Sequence, residues 1–415
     1  MSSFNVRILD LHTPDEIRAE MEKVGASVPG MKIMMPKASF RVIKVEGLNF
    51  AAANIIKQEM LARGGEAVIS HQVYSTKDVD SDVLLLGTER HHQDLLRKLR
   101  VQPFKSLGAI ASEVEQALVR HAGEELGSLT IAGRAFDWGD RTYIMGVVNV
   151  TPDSFSGDGL GDDIEAALAQ AERMIEAGAD LIDVGGESTR PGSEPISVEE
   201  ELGRIVPVIE ALARRADVPI SIDTYRAEVA EEALTAGAHL VNDVWGLRME
   251  PEIAEMAARH QVPLVLMHNR SRPKDAAQTA RLGGRYLGVE YEDLMADVIR
   301  ELRDSISLAV EAGVEREKII VDPGIGFGKT VEQNLQLMAN LAELKVLGRP
   351  ILLGPSRKSF IGYTLDLPLD ERVEGTAAAV AVGIANGADI VRVHDVKQMV
   401  RVARMTDAMV RRGRD

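Results

Sequence analysis

The chain has no cysteine among its 415 residues. Disulfides, thiolate metal sites and a cysteine nucleophile are excluded, although that absence alone does not fix the compartment. Aromatic residues make up only 4%, so the core has to be built mainly from Ala, Val, Leu and Ile. No apolar run approaches the roughly 18 residues needed to span a bilayer. The N-terminus "MSSFNVRILDLHTPDE" has no apolar stretch behind a basic one, so no secretory signal is read there. The expectation is a soluble, cytoplasmic protein with no membrane partner. Basic charge is also in deficit. A net charge of -16 disfavours a nucleic-acid surface, which needs concentrated Lys and Arg. The basic "VRRGRD" at the C-terminus reads as the dipole-matched end of a last helix.

What is present is a rhythm. From Tyr143 onward, short apolar runs alternate with longer stretches at helical period. The runs are "YIMGVVNV", "DLIDVG", "PISID", "HLVND", "PLVLMH", "IIVDPG", "PILLG" and "DIVRVH", eight in all. Each is nearly continuous, as strands buried on both faces are. Eight strands alternating with helices predict a (β/α)8 TIM barrel. An open doubly wound sheet is the structural alternative, but its glycine fingerprint after the first strand is absent. Three helical stretches end in "AGAD", "AGAH" and "NGAD", which makes Gly178, Gly237 and Gly387 C-caps.

Residues 1–125 do not follow this rhythm and read as a separate small α/β domain; residues 126–415 hold the barrel. In the first part "SFRVIKVEGL", "EAVIS" and "DVLLLGT" predict strands, and "NFAAANIIKQEMLARGG", "ERHHQDLLRKLR" and "SLGAIASEVEQALVRHAG" predict helices. "SLTIAGRAFDWGDRTYIMG" predicts a hairpin with its turn near Gly139, placed to plug the N-terminal mouth of the barrel.

Active sites of such barrels lie at the C-terminal ends of the strands. The runs end there in Asn149, Asp183, Asp223, Asn242 with Asp243, His268, Asp322, "GPSRKS", and Arg392 with His394. So many polar ends on one face call for a polar ligand. Asp223, Asn242 and Asp322 suit a flat heterocycle with amino and lactam edges, because carboxylates accept well from paired N–H donors. Arg392 and His394 are two apart on a strand and share a side, which suits a phosphate. Asn149 is placed to ligate a magnesium ion carried by a diphosphate. "DPGIGFGKT" is not a nucleotide phosphate loop, because Pro323 stands where the consensus needs glycine. "GPSRKSFIG" is read as a fixed turn aiming Lys358 into the mouth.

Taken together, "IMGVVNVTPDSFS", "DVGGESTRPGSE", "SIDT", "VNDV", "LMH", "DPGIGFGKT", "SRKSFIG" and "VRVHDV" resemble dihydropteroate synthase in order and spacing, over about residues 128 to 412. The resemblance implies a barrel that joins 6-hydroxymethyl-7,8-dihydropterin diphosphate to 4-aminobenzoate by a dissociative mechanism. It implies that Asp223, Asn242, Asp322 and Lys358 hold the pterin. Arg392, His394 and Asn149 would bind the diphosphate, Asn149 through Mg²⁺. Thr189, Arg190 and Ser359 would position the aminobenzoate, while Phe327 and Met267 line the slot. Asp153, Asp158 and Lys358 are the catalytic candidates, with Asp153, Phe155 and Asp158 on a loop that closes over the methylene. The acid at Asp158 stands one place later than the family commonly has it. A homodimer through barrel helices is implied as well. Two other readings compete: a methyltetrahydrofolate–corrinoid methyltransferase-like enzyme and a non-catalytic pterin-binding protein. The resemblance says nothing firm about the N-terminal domain.

Overall fold

The computed structural model describes residues 4–11, 13–76, 79–123, 126–150, 160–188, 195–272, 275–279, 281–287 and 290–411. The chain divides into two units, Met1–Val119 and Arg120–Asp415.

The smaller unit carries a three-stranded antiparallel sheet, with Ser81–Thr88 between Phe40–Leu48 and Glu66–Ile69. Alternate residues of the middle strand, Val83 and Leu85, turn to one face. They bury against Ile56 and Met60 of helix Phe50–Leu61 and Leu95 and Leu99 of helix Glu89–Arg100. These elements match the sequence expectation. Two further helices, Pro14–Lys23 and Val28–Ala38, were not anticipated. The first had a legible start: Thr13 and Glu16 exchange reciprocal capping-box hydrogen bonds, and Pro14 opens the first turn.

The larger unit is the expected barrel. Its strands are β1 (Tyr143–Asn149), β2 (Leu181–Gly185), β3 (Ile220–Asp223), β4 (Leu240–Asp243), β5 (Leu264–Met267), β6 (Ile319–Asp322), β7 (Leu352–Leu353) and β8 (Ile390–Val393). They pair in parallel in the order β6-β5-β4-β3-β2-β1-β8-β7. A parallel bridge between Val321 and Ile351 joins the two ends of that order. The sheet therefore closes, and the open doubly wound alternative is excluded.

Each strand is apolar on both faces. Ile144, Ile182, Ile222, Val241, Leu266 and Val321 face the surrounding helices in one cluster. Tyr143, Met145, Leu181, Leu240, Val265, Ile320, Leu352 and Ile390 form a second cluster with Leu129, Ile131, Phe136 and Trp138. The last four belong to the hairpin Ser128–Ile131/Arg134–Asp137 and the turn that follows it, so the hairpin packs as a plug against the strands' inward faces. The Phe136 and Tyr143 ring centroids lie 4.6 Å apart, and the Asp137 N–H donates to the Tyr143 hydroxyl at 2.7 Å. The hairpin turn is not near Gly139, as the sequence suggested. Ile131 pairs with Arg134, so Ala132 and Gly133, with φ of 50° and 77°, form the two-residue turn. That turn needs two left-handed residues in succession, and Gly139 instead leads the chain toward β1.

Gly178, Gly237 and Gly387 have φ of 104°, 115° and 102°. These are left-handed conformations that an L side chain resists, and they end three helices as the repeated phrase predicted.

Candidate active site

Strand register sets the level of the site. Asn149 pairs with Gly185, Gly185 with Asp223, and Asp223 with Asn242. Across the barrel, Met267 pairs with Asp322. One inward step lower, Asp183 pairs with Ser221. Inward positions recur every second residue, so above the apolar plug the same faces turn polar.

Arg392 on β8 ties two of these strands together. Its Nε donates to Asp183 Oδ2 at 2.6 Å, and its Nη2 donates to Asp223 Oδ2. Asn242 Nδ2 donates to the same Asp183 oxygen at 3.1 Å. Asp183 and Ser221 are both fully buried. Asp183 Oδ1 and Ser221 Oγ have no hydrogen-bond partner among the described residues, which leaves bonding capacity at the floor of the slot. Burial pushes the Asp223 carboxyl up to about 7, against the pull of Arg392. Burial also opposes the Arg392 charge, but Asp183 and Asp223 outweigh it and hold the guanidinium protonated.

The opposite side is built from the "DPGIGFGK" segment and the turn after β7. Asp322 Oδ1 accepts the Gly324 N–H at 2.7 Å. Lys358 Nζ donates to the Ile325 carbonyl and lies 4.5 Å from the centroid of the Phe327 ring. Gly326 is required at this contact, since a Cβ there would come within 2.8 Å of Lys358 Cδ. Burial pushes the Lys358 ammonium down to about 8, with Asp322 opposing that shift, and burial raises Asp322 above its usual range. Two acids and two cations thus face a common space, each with its charge made costly by burial and that cost partly offset by its neighbours.

Other expected residues stand around this centre. Met267 is buried at the end of β5. The His394 N–H and Nδ1 both engage Ser356 Oγ, at 3.1 and 3.0 Å. Ser359 begins helix Ser359–Leu365, directly after Lys358. Arg357 is occupied by Asp395, which its Nε meets at 2.8 Å. Asn149 and Asp223 flank the bare Cα of Gly185: a Cβ there would lie 3.6 Å from Asp223 Oδ2 and 3.7 Å from Asn149 Oδ1. Asp153, Phe155, Asp158, Thr189 and Arg190 lie outside the described residues. Glu187 and Ile196, on either side of positions 189–194, are both held by Arg226. Its Nη2 meets Glu187 Oε2 at 2.9 Å and the Ile196 carbonyl at 2.7 Å, while Nη1 meets Glu201 Oε2 at 2.7 Å.

Two residues with large roles in this network were not among the expected site residues. Asp183 was noted only as a strand end, although its position two residues below Gly185 marks it as inward. Lys329 was weighed only as part of a failed phosphate-loop match. In the fold it is almost wholly buried, and its Nζ contacts His268 Nδ1 at 3.0 Å and the carbonyls of Gly324 and Phe327 at 3.0 and 3.1 Å. The ammonium is spent on its own loop.

A closed barrel with buried charged and amide side chains gathered at its C-terminal mouth defines the class, and comparison agrees. Residues 145–394 match the family described as pterin binding enzyme. The dihydropteroate synthase of Clostridium beijerinckii is 52% identical over 285 residues, covering 68% of this chain and 100% of that protein. The solved dihydropteroate synthase of Clostridium difficile, determined in the presence of pteroic acid, is 48% identical with a TM-score of 0.62, covering 67% of this chain and 100% of that one. The chain belongs to the dihydropteroate synthases. A probable bifunctional folylpolyglutamate synthase/dihydropteroate synthase of Halobacterium salinarum is 40% identical over 407 residues, 98% of this chain and 47% of that protein. The N-terminal unit therefore has a counterpart in another member.

Proposed function

We infer that the chain joins 6-hydroxymethyl-7,8-dihydropterin diphosphate to 4-aminobenzoate, forming 7,8-dihydropteroate and releasing diphosphate in folate biosynthesis. The observation that carries the site assignment is the ring of buried, mutually compensating charges formed by Asp183, Asp223, Asp322, Lys358 and Arg392. Asp223, Asn242, Asp322 and Lys358 hold the pterin edges, with Phe327 and Met267 against its faces. Arg392 and His394 receive the diphosphate. Thr189, Arg190 and Ser359 position the aminobenzoate, and Asp153 and Asp158, in the sequence that follows β1, are the further catalytic residues.

The bond between the pterin methylene carbon and the diphosphate oxygen breaks first, and its electron pair leaves with diphosphate. The methylene carries the developing positive charge, which the carboxylates of Asp223 and Asp322 favour in a water-poor slot. The arylamine nitrogen then bonds to that carbon and loses a proton. The chain needs no covalent nucleophile for these steps.

Asn149 fits a role toward Mg²⁺. It offers a hard amide oxygen across Gly185 from Asp223, and the described residues contain no group of three or more His, Asp or Glu that could hold a metal alone. A divalent ion would then arrive largely liganded by substrate phosphates, and it would supply charge stabilisation for the leaving diphosphate.

We place the domain boundary at residues 125/126, just ahead of the plug hairpin. A homodimer through barrel helices is supported by exposed Leu308, Val382, Met405 and Met409 on outer helix faces; sedimentation as a monomer would oppose it. A cytoplasmic location is the accompanying proposal; among the described residues, no helix is long and apolar enough to cross a membrane.

The testing experiment is a coupled assay of diphosphate release. Arg392→Ala should weaken the diphosphate substrate far more than a bare pterin. Equal losses would contradict its role and would favour the corrinoid methyltransferase-like reading, whose methyl donor carries no diphosphate.

A further inference from the structure

The turn Gly324–Gly328 is built around a buried ammonium. Gly324 and Gly328 have φ of 70° and 58°, and a Cβ on either would run into backbone, 1.8 Å from the His268 oxygen and 2.4 Å from the Arg270 carbonyl carbon. The turn is thus packed directly on the chain leaving β5. Its carbonyls at Gly324 and Phe327 point at Lys329 Nζ. With His268 Nδ1 at 3.0 Å, three acceptors within 3.1 Å match the three donors of an ammonium, and the His268 carbonyl is a longer fourth contact at 3.5 Å. Because His268 accepts at Nδ1, its proton sits on Nε2, which lies 3.2 Å from Glu301 Oε2. Glu301 is itself held by Arg270 and Arg248. Asn334 fastens the same turn from the other side: its Oδ1 accepts the Gly326 N–H at 2.6 Å and its Nδ2 donates to the Lys329 carbonyl at 3.2 Å.

The turn's remaining groups face the site. The Gly324 N–H goes to Asp322, the Ile325 carbonyl to Lys358, and the Phe327 ring lies against the Lys358 ammonium.

We propose that Lys329 is a positioning residue for the pterin half of the site, acting through the Gly324–Gly328 turn to orient Asp322 and Lys358 together. It touches no substrate. Its ammonium gathers the inward carbonyls of Gly324 and Phe327, and the outward groups on the peptides beside them, the Gly324 N–H and the Ile325 carbonyl, are fixed as a result. His268 meets it from behind, with Glu301 Oε2 3.2 Å from the far ring nitrogen. Burial pushes the lysine down to about 7, so the clamp weakens as the amine loses its third donor at alkaline pH. The assignment rests on the reading of Asp322 and Lys358 as pterin-binding residues.

The test compares Lys329→Met, Lys329→Gln and Asp322→Asn in the full chain, with KM for each substrate, direct titration with a bare pterin, and thermal midpoint. Lys329→Met should weaken pterin binding at least tenfold while the 4-aminobenzoate KM stays within twofold. Lys329→Gln keeps two donors and should fall between the variant and the parent; it also serves if Lys329→Met does not fold. The alkaline limb of pterin binding should shift in both variants, since Lys358 loses its fixed carbonyl. A lower thermal midpoint with unchanged pterin affinity and unchanged pH profile would overturn the proposal and leave Lys329 a purely structural residue. Asp322→Asn separates the premises: unchanged pterin affinity in that variant overturns the half-site reading itself, and the role of Lys329 with it.

Discussion

Asp223→Asn should stabilise the barrel at alkaline pH while crippling the enzyme. The ordinary value for this carboxyl is 3.8, and burial raises it to about 7 in the folded chain. The folded state therefore keeps a proton that the unfolded chain releases between these values. The stability this contributes is complete below about pH 4 and is lost as pH rises through about 7. At about 1.4 kcal/mol per pH unit, the loss reaches about 4 kcal/mol by pH 8. The side chain is 11% exposed, so solvent screening relieves little of it. An asparagine has the shape of the protonated acid and escapes the loss, though a poorer bond to Arg392 costs about 1 kcal/mol. The expected net gain is about 3 kcal/mol at pH 8 and falls below about 1 kcal/mol at pH 5. Urea unfolding at both pH values, followed by tryptophan fluorescence, measures it. Both tryptophans, Trp138 and Trp245, belong to the barrel unit, so the signal is free of the N-terminal unit. A variant equally destabilised at pH 5 and pH 8 would refute the reasoning, because it would mean that Asp223 ionises without cost. Loss of activity beside a gain in stability is the expected signature of a strained functional charge.

Other substitutions probe separate parts of the account. Arg226→Leu strands buried Glu201 and half-buried Glu187 and should cost about 3–5 kcal/mol in urea unfolding; a loss under 1 kcal/mol, on the order of one surface ion pair, would contradict the burial argument. Gly324→Ala should fail to fold or lose all pterin binding, since its Cβ would lie 1.8 Å from the His268 oxygen; wild-type calorimetric titration would oppose the packing described. The KM for pterin diphosphate should rise as pH climbs through about 8, where Lys358 loses its charge, and Lys358→Met should remove that limb. Trp138→Ala should destabilise the barrel by about 3–5 kcal/mol without changing either KM, because the plug lies at the end away from the site.

The barrel was legible because its strands are buried on both faces. Continuous runs such as "IIVD" separated by amphipathic helices leave few other solutions, and the polar residue ending each run marked the mouth. Residues whose polar side chains gather at the strand ends, such as Asp223, Asn242 and Arg392, could be picked out from that pattern alone. Asp183 could not be ranked above any other buried acid, because its importance comes from Arg392, 209 positions later in the chain. Lys329 was opaque for a related reason. Its partners are backbone carbonyls and His268, so nothing in "GFGKT" says whether the lysine points at a phosphate or at its own turn. The hairpin turn was misplaced because two glycines, Gly133 and Gly139, competed, and only pairing register shows which of them has two left-handed residues in succession. The helix Pro14–Lys23 is marked in the sequence by its capping box, Thr13 with Glu16, and by Pro14 in its first turn.

The most direct measurement is diphosphate release from 6-hydroxymethyl-7,8-dihydropterin diphosphate with and without 4-aminobenzoate, using the full chain. The account predicts release that depends on 4-aminobenzoate, yields one 7,8-dihydropteroate per diphosphate, and is lost in Arg392→Ala. Release that is absent, or indifferent to 4-aminobenzoate, would contradict it.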